Sequence, residues 1–293
     1  QFERYSQVFF CGERRLPYGM GVITHFLRER GYSVEQEDLA IRYNSYHSNP
    51  ASFLSNCLKN RCLGIDANQV TAADILDSDK IERQLNPFLE HIFKRCPVEG
   101  FDLLGFSILS YSHFLFALLL AKKIKRRVRT PIVFGGAFIA LYGGLYPEAF
   151  NSIDYMITGD GRIPLLRLIH FLEGKARLSE VPNLMHKEGG EVNACPREVY
   201  PLEDIPVPDF DGLLMPLYKR NQYKNTITLP YQISRGCVGR CAFCNYYIHG
   251  KLEFKSHDKV LNELRQMKER YKSSVFLFCN DAINCSYEYL DGL

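Results

Sequence analysis

Three cysteines stand within the stretch RGCVGRCAFC, which covers residues 235–244. They are Cys237, Cys241 and Cys244, separated by three residues and then by two. Thiolates are soft ligands that suit iron–sulfur clusters or zinc. Structural zinc sites use four ligands, commonly in two pairs, and the sequence offers no clear fourth ligand nearby. Three thiols on a cubane cluster leave one iron open, which favours catalysis, while a zinc knuckle or a set of buried thiols is the alternative.

The elements around this loop alternate between strand and helix. The stretch TITLPYQISRGC (226–237) predicts one strand that leads into the loop, and residues 259–271 have a helical pattern. A second strand is predicted at 274–281, followed by the start of another helix. Since an eight-unit βα barrel needs about 250 residues, the sequence from Thr226 onward accommodates about two units. We therefore expect a longer protein or another chain to complete the active site.

The N-terminal part predicts a doubly wound, Rossmann-like α/β domain. Apolar runs typical of buried parallel strands alternate there with amphipathic helical patterns. The predicted strands cover 5–11, 32–41, 101–109, 130–136 and 153–159, and the predicted helices cover 19–31, 113–128 and 163–174. Ligands bind such sheets at the carboxyl ends of the strands.

A change in composition separates the two parts. Residues 183–200 predict a hairpin that turns at Gly189 and Gly190. The stretch that follows, 201–216, carries four prolines, which exclude a regular helix or a central strand. The predicted organisation is therefore three segments in order: the N-terminal domain over 1–200, a proline-rich linker over 201–225, and the start of a barrel over 226–293.

Composition and charge exclude several classes of protein. A net charge of +3 is too small to indicate a nucleic-acid partner. No apolar stretch reaches the roughly 20 residues that a membrane crossing requires, and no secretory signal is visible. Ten cysteines diluted in such a chain indicate metal or redox chemistry in a reducing, cytoplasmic compartment. The basic run KKIKRRVR (122–129) predicts the solvated end of a helix.

The stretch CVGRCAFC resembles the CxxxCxxC motif of the radical S-adenosylmethionine (radical SAM) enzymes, including the aromatic residue before the last cysteine. The resemblance implies that Cys237, Cys241 and Cys244 hold a [4Fe–4S] cluster whose open iron binds SAM. Reductive cleavage of SAM then yields a 5′-deoxyadenosyl radical. Phe243 would lie near the adenine, and an electron donor of the flavodoxin or ferredoxin type would be a partner.

The N-terminal half resembles the cobalamin-binding domain of the B12-dependent members of that family. The stretches that carry the resemblance are SIL (107–109), the glycine pair 135–136, TGDGRIPLLRLI (158–169) and the linker segment IPVPDF (205–210). Glycines at strand ends allow the backbone to approach a bulky planar ligand. The resemblance assigns cobalamin contacts to Ser107, Leu109, Gly135, Gly136, Gly159 and Gly161.

One departure concerns the lower face of the cobalamin. Classical B12 domains carry an Asp-x-His-x-x-Gly loop whose histidine ligates cobalt, whereas residues 11–21 read CGERRLPYGMG. We therefore expect cobalamin without a histidine ligand from this loop. The alternative is a vestigial domain that binds no corrinoid, since a fold does not establish a ligand.

The stretch FLFCNDAINC (276–285) resembles an F-x-F-x-D-x-x-x-N pattern of B12-type radical SAM enzymes. The resemblance places Asn280 and Asp281 at the SAM site, while helix capping is the alternative for this pair. Cys279 and Cys285 flank the pair, and we expect them to be buried structural thiols.

The sequence thus predicts a B12-dependent radical SAM enzyme. The expected activity is C-methylation of an unactivated carbon on a small molecule, namely a peptide or natural-product precursor, with methylcobalamin as the methyl donor. Two alternatives stay open: a radical SAM enzyme that catalyses a rearrangement or cyclisation without cobalamin, and a non-enzymatic binding module stabilised by zinc. Neither nucleic acid nor membrane is an expected partner.

Overall fold

The computed structural model describes residues 4–9, 15–39, 41, 72, 79–218, 226–239, 241, 242, 244 and 251–293. Its N-terminal unit is a seven-stranded sheet of order β2-β1-β3-β4-β5-β6-β7, in which the first five strands of the chain run parallel. The strands are β1 (Arg4–Phe9), β2 (Ser33–Asp38), β3 (Leu103–Ser107), β4 (Ile132–Gly135), β5 (Tyr155–Ile157), β6 (Leu184–Glu188) and β7 (Glu191–Ala194). The helices are α1 (Tyr18–Arg28), α2 (Asp79–Arg95), α3 (Tyr111–Lys125), α4 (Ala137–Tyr142) and α5 (Arg162–Leu172).

Helices cover both faces of this sheet. Alternate residues of β3 and β4 enter two different cores: Leu104 and Phe134 pack with α2 and α3, whereas Leu103 and Val133 pack with α1 and α5. Strands buried on both faces need the continuous apolar runs that β3 and β4 carry. The prediction of an α/β domain built on a parallel sheet is confirmed.

The strand order places a crevice at the carboxyl edge of the sheet. From β1 the chain moves outward to β2 and then returns to the other side of β1 at β3. The connections that follow β1 and β3 therefore lead to opposite sides of the sheet, toward β2 and β4. Open α/β sheets bind ligands at such switch points.

The hairpin predicted over 183–200 is confirmed, since β6 and β7 pair antiparallel and extend the sheet beyond β5. Gly189 and Gly190 form the two-residue turn with φ of +61° and +91°. Positive φ at both positions is the requirement of the tight hairpin turn, which explains the glycine pair.

The C-terminal unit begins with a βαβ arrangement. Strand β8 (Thr228–Tyr231) and strand β11 (Val275–Phe278) pair in parallel, and helix α6 (His257–Tyr271) connects them. A short antiparallel pair, β9 (Ser234–Arg235) with β10 (Glu253–Phe254), lies beside the cysteine loop, and α7 (Tyr287–Asp291) follows β11. The prediction of one continuous strand over 226–237 is wrong, because β8 and β9 belong to different sheets.

The proline-rich segment is irregular, as predicted, but it is packed rather than free. Phe210 is fully buried, and its ring lies against α1 at Gly21, where a Cβ would come within 2.6 Å of it. The backbone N–H of Phe210 donates to the hydroxyl of Tyr271 on α6 at 2.8 Å. The described part of the linker, 201–218, is therefore wedged between the two units.

The basic run at the end of α3 is solvated in part, as predicted, since its three arginines are exposed, but several of its cations also pair with neighbouring elements. Lys123 donates to Asn86 on α2, and Arg127 pairs with Glu90 of the same helix at 2.5 Å. Lys125 pairs with Asp154, just before β5, at 2.5 Å. These cations hold α3 to its neighbours. In the described part of the chain, no helix has the length and apolar composition needed to cross a membrane.

Candidate functional site

The cysteine loop starts where β9 ends. Cys237 and Cys244 are half-buried and Cys241 is exposed. The thiols of Cys237 and Cys241 converge beside Gly239, because a Cβ built on that glycine would lie 3.4 Å from one Sγ and 3.6 Å from the other. The backbone N–H of Gly239 donates to the Sγ of Cys237 at 3.3 Å. Such a donor stabilises negative charge on sulfur, as a metal-bound thiolate requires.

The second half of the motif closes in a turn. The backbone N–H of Cys244 donates to the carbonyl of Cys241 at 3.0 Å. Within the described residues, no group of three His, Cys, Asp or Glu side chains is arranged to hold a metal ion. The structure thus brings two of the three predicted ligand thiols together and does not assemble the full set. Phe243, which the resemblance placed near the adenine of SAM, lies outside the described residues.

Gly236 fixes the turn from β9 into the loop. Its φ is +88°, and a Cβ there would lie 2.9 Å from the carbonyl oxygen of Lys251. Both the backbone conformation and the close approach of the segment before β10 exclude a side chain. A glycine before the first cysteine is therefore a structural requirement of this loop.

Asn280 and Asp281 contact the same turn from the other side. The Oδ1 of Asn280 accepts hydrogen bonds from the N–H groups of Ile233 at 3.0 Å and Ser234 at 3.2 Å. The Oδ2 of Asp281 accepts from the N–H of Gly236 at 2.7 Å. The Nδ2 of Asn280 is buried and has no partner among the described residues. These acceptors hold the loop, while contact with SAM stays a prediction for both residues.

The flanking thiols differ from expectation. Cys279 is exposed and Cys285 is half-buried, so the prediction of a buried structural thiol is wrong for Cys279. The chain leaves β11 after Phe278, which places Cys279 beyond the ladder and out of the apolar core.

Four of the six predicted cobalamin contacts lie together at the crevice of the N-terminal sheet. Ser107 and Gly135 are register partners at the ends of β3 and β4, and Leu109 is 45% exposed just beyond. Gly136 has a φ of +97°, and a Cβ on it would lie 2.6 Å from both the backbone N and O of Ile108. Any side chain at Gly136 would therefore separate the two loops.

The remaining two glycines lie on the loop after β5. A Cβ on Gly159 would meet the Asn183 side chain at 3.6 Å, which is ordinary contact. A Cβ on Gly161 would lie 2.9 Å from the Cδ1 of Ile23 on α1. Gly161 therefore has a packing function between α1 and α5, and its contact with cobalamin stays a prediction.

Sequence reasoning missed a charged cluster that joins the two units. Asp160, Arg162 and Arg235 lie together where the loop after β5 faces β9. The short sequence distance between Asp160 and Arg162 was the available signal, because a bidentate Asp–Arg pair can form there. Nothing local indicated the approach of Arg235.

It also missed a buried ionic group under β8. Lys255 is fully buried, and its Nζ donates to Oε2 of Glu263 at 2.7 Å, while the hydroxyl of Tyr231 donates to the same oxygen at 2.5 Å. Burial lowers the pKa of Lys255. Burial, together with the neighbouring Glu263, raises the pKa of Tyr231. This group attaches α6 to β8 and thereby supports the strand that precedes the cysteine loop.

Comparison with known proteins finds one curated relative over part of the chain and several solved structures of similar fold. A curated relative, the uncharacterized methyltransferase PH0819 of Pyrococcus horikoshii, is 27% identical over 166 residues, which cover 55% of this chain and 35% of the relative. No family model matches the chain.

Two solved structures share the fold over nearly the whole chain. OxsB, a cobalamin-dependent S-adenosylmethionine radical enzyme solved with aqua-cobalamin and S-adenosylmethionine, matches 99% of this chain with a TM-score of 0.64 and 17% identity. TsrM, a radical S-adenosylmethionine methyltransferase from Kitasatospora setae solved with tryptophan and aza-SAM, also matches 99%, with a TM-score of 0.61 and 14% identity.

These comparisons establish the fold of the chain. Its N-terminal sheet and the βαβ unit after the linker share the fold of the corresponding part of both enzymes. The chain spans 35% of the length of OxsB and 50% of the length of TsrM. It also spans 35% of the curated relative.

Proposed function

We propose that this chain is the cobalamin-binding-type domain and the start of the radical SAM barrel of a B12-dependent radical SAM enzyme. The activity we propose is C-methylation of an unactivated carbon on a peptide or natural-product precursor. One observation carries the proposal: a CxxxCxxC loop, with two thiols already converging, stands after β8 and β9 in a chain whose fold matches two enzymes of this chemistry over 99% of its length.

The donor set fits an iron–sulfur cluster. Cys237, Cys241 and Cys244 would hold it, with the N–H of Gly239 stabilising the charge on Cys237. Three thiolates leave one iron position for SAM, whereas a tetrahedral zinc site would need a fourth protein ligand or a water. When bound, the cluster supplies the electron that cleaves SAM, and cobalamin supplies the methyl group.

The sheet edge fits a planar ligand. Ser107, Gly135 and Gly136 present backbone and one small side chain at the crevice, and Leu109 offers apolar surface. A Cβ on Gly135 would meet only the carbonyl of Ile157 at 3.9 Å, so the missing side chain there would allow a corrin ring to approach the backbone, while Gly136 lets the backbone of Ile108 come close. We also propose a peptide or natural-product substrate and an electron donor of the flavodoxin or ferredoxin type, because the family resemblance implies both.

The first test uses iron analysis and electron paramagnetic resonance (EPR). After anaerobic reconstitution with iron and sulfide, each of the substitutions Cys237→Ala, Cys241→Ala and Cys244→Ala should abolish the cluster, because three thiolates are the minimum. Cys195→Ala is the matched control, since that half-buried thiol lies after β7, and it should retain wild-type iron. Addition of SAM should shift the EPR signal of the reduced wild-type protein.

Three outcomes would contradict the proposal in different ways. Stoichiometric zinc without iron would favour the binding module. A cluster signal that does not respond to SAM would remove the radical SAM assignment. A SAM-sensitive cluster in a protein that binds no cobalamin would favour rearrangement or cyclisation chemistry. Bound cob(II)alamin should lack the nitrogen splitting of an imidazole ligand from residues 11–21.

A further inference from the structure

Arg235 reaches from the cysteine unit into the N-terminal unit. It belongs to β9 and lies two residues before Cys237. Its Nη2 donates to the backbone carbonyl of Tyr200, just before the linker, and to Oε2 of Glu253 at 3.0 Å. Its Nη1 lies 3.9 Å from Oδ2 of Asp160, on the loop after β5. Only 12% of the Arg235 side chain is exposed, so water screens these interactions weakly.

Asp160 is itself held in place by a second guanidinium. Arg162 donates to the Oδ2 of Asp160 through Nη2 at 2.8 Å, and both its Nε and its backbone N–H reach Oδ1 at 3.1 Å. The Nη1 of Arg162 donates to the carbonyl of Asp204 in the linker. Two guanidinium groups therefore converge on one carboxylate, and both also bind backbone carbonyls at or just before the linker.

The position of Arg235 depends on these carboxylates. The Nε of Arg235 is buried and has no hydrogen-bond partner among the described residues, so the C-terminal unit does not supply acceptors for the whole guanidinium group. Two largely buried cations near each other are unfavourable unless anions compensate them. Asp160 and Glu253 provide that compensation, one from each unit. Displacing the loop after β5 would therefore displace Arg235, and with it the turn that leads into the cysteine loop.

We infer that Arg235 is a positioning residue that fixes the cysteine loop against the loop 158–161 through Asp160. The inference rests on the proposed function, in which these two loops serve different cofactors. Group transfer between two bound molecules is sensitive to displacements of about 1 Å. A direct contact between the loops sets that distance more precisely than the linker alone.

Hydrogen–deuterium exchange of the full chain, without cofactors, tests the contact. Arg235→Met keeps the aliphatic stem and removes the charge that faces Asp160, so amides of 158–162 should exchange about tenfold faster, as expected when a largely buried carboxylate loses one of its two cationic partners. Asp160→Asn should in turn accelerate exchange at 234–237. The effect of the double variant should be smaller than the sum of the two single effects, because both substitutions remove the contact between Arg235 and Asp160.

The controls separate this effect from general destabilisation. Arg177→Met removes an exposed pair with Glu180 and should leave both segments unchanged. The hairpin 184–194 should keep wild-type exchange in all variants. Should Arg235→Met fail to fold, Arg235→Lys and Asp160→Asn carry the same test. Wild-type exchange at 158–162 in folded Arg235 variants would overturn the inference.

A second measurement relates the contact to function. In wild-type protein reconstituted with cobalamin and the cluster, pulsed EPR should give one narrow distance between the two paramagnetic centres, and Arg235→Met should broaden it. An unchanged distance distribution would also overturn the inference. Absence of either centre in wild-type protein would instead contradict the proposed function, while the exchange result would still decide the contact.

Discussion

At the scale of single residues, the cysteine loop is arranged by acceptors that lie far away in sequence. Asn280 and Asp281 together take three N–H groups from the five residues that precede Cys237. Those N–H groups cannot pair with β11, because the chain has already left that ladder at Tyr231. Fixing the backbone before a ligand binds lowers the entropy cost of binding. The pair therefore fixes the backbone that leads into the loop, which would favour binding of the proposed cluster.

A pair of substitutions at Asp281 separates its acceptor from its charge. Asp281→Ala leaves the N–H of Gly236 without its 2.7 Å partner and should lower the free energy of unfolding by about 1–3 kcal/mol. Asp281→Asn keeps an acceptor oxygen and should lose less than about 1 kcal/mol. Urea denaturation checks both values. Equal losses in the two variants would show that the charge, not the acceptor, matters.

The cysteine motif could be recognised from sequence because its spacing is local, whereas its binding of a cluster stays a prediction. The need for Gly236 could be recognised in the same way, since a glycine commonly stands where a strand turns sharply. The acceptor function of Asp281 and the approach of Arg235 to Asp160 could not be predicted, because each joins residues that only the tertiary fold brings together. The resemblance placed Asn280 and Asp281 at the SAM site, which stays a prediction, and it did not indicate their hydrogen bonds to the backbone before Cys237.

At the scale of elements, the spacing of apolar residues and the positions of turn residues predicted most strands of the N-terminal sheet. Continuous apolar runs such as 103–107 and 132–135 predict strands from their composition alone. The break between β8 and β9 was invisible, because its cause is the pair of bonds from Ile233 and Ser234 to Asn280. Helix α4 was also missed, since six residues are too few to show a period.

Helix α1 contains a glycine, Gly21, that is needed for packing against the linker. Gly21 is the contact point for Phe210, and a Cβ would lie 2.6 Å from that ring. Alanine normally stabilises a helix relative to glycine by roughly 0.5–1 kcal/mol. Here overpacking should dominate, so Gly21→Ala should destabilise the protein by about 1–3 kcal/mol.

Gly19 provides the matched control on the same helix, since a Cβ there meets nothing within 4 Å. Gly19→Ala should be neutral or stabilising by up to about 1 kcal/mol. Thermal unfolding of both variants shows whether the two substitutions change the stability in opposite directions. Stabilisation by both substitutions would mean that Phe210 moves away at little cost. The linker around Phe210 would then not hold the two units together.

At the scale of the whole molecule, the two units share one core. Met20 of α1, Phe210 of the linker, Tyr231 of β8 and Met267 of α6 belong to the same buried cluster. A core built from both sides of a boundary makes the units unfold together rather than separately. This continuity also supports the contact between Arg235 and Asp160, because the flanking elements cannot slide freely.

An ionic network adds to this core, and Asp209 is its centre. Its carboxylate lies 3.1 Å from Arg28 on α1 and 3.0 Å from Arg270 on α6, and it accepts the N–H of Asp211 at 2.8 Å. Burial by itself raises the pKa of Asp209. The N–H of Asp211 and the two guanidinium groups outweigh burial, and the pKa lies below its usual value.

The direction of this pKa shift determines how the stability depends on pH. Because the folded pKa lies below the unfolded value of about 3.9, the contribution of Asp209 is present above about pH 4 and is lost as the pH falls through the folded pKa. At neutral pH, Asp209→Asn should lower the free energy of unfolding by about 1–3 kcal/mol. The loss is smaller than for a fully buried pair, since both guanidinium groups are about a third exposed.

The difference between wild type and Asp209→Asn should therefore shrink as the pH falls below about 4, because protonation removes the charge from the wild-type carboxyl as well. Urea unfolding at a series of pH values measures it. Glu180→Gln, which removes the exposed partner of Arg177, should stay within about 0.5 kcal/mol of wild type throughout. A difference for Asp209→Asn that does not change with pH would mean that the hydrogen bonds and fit of the Asp209 side chain, rather than its charge, hold the linker between the two units.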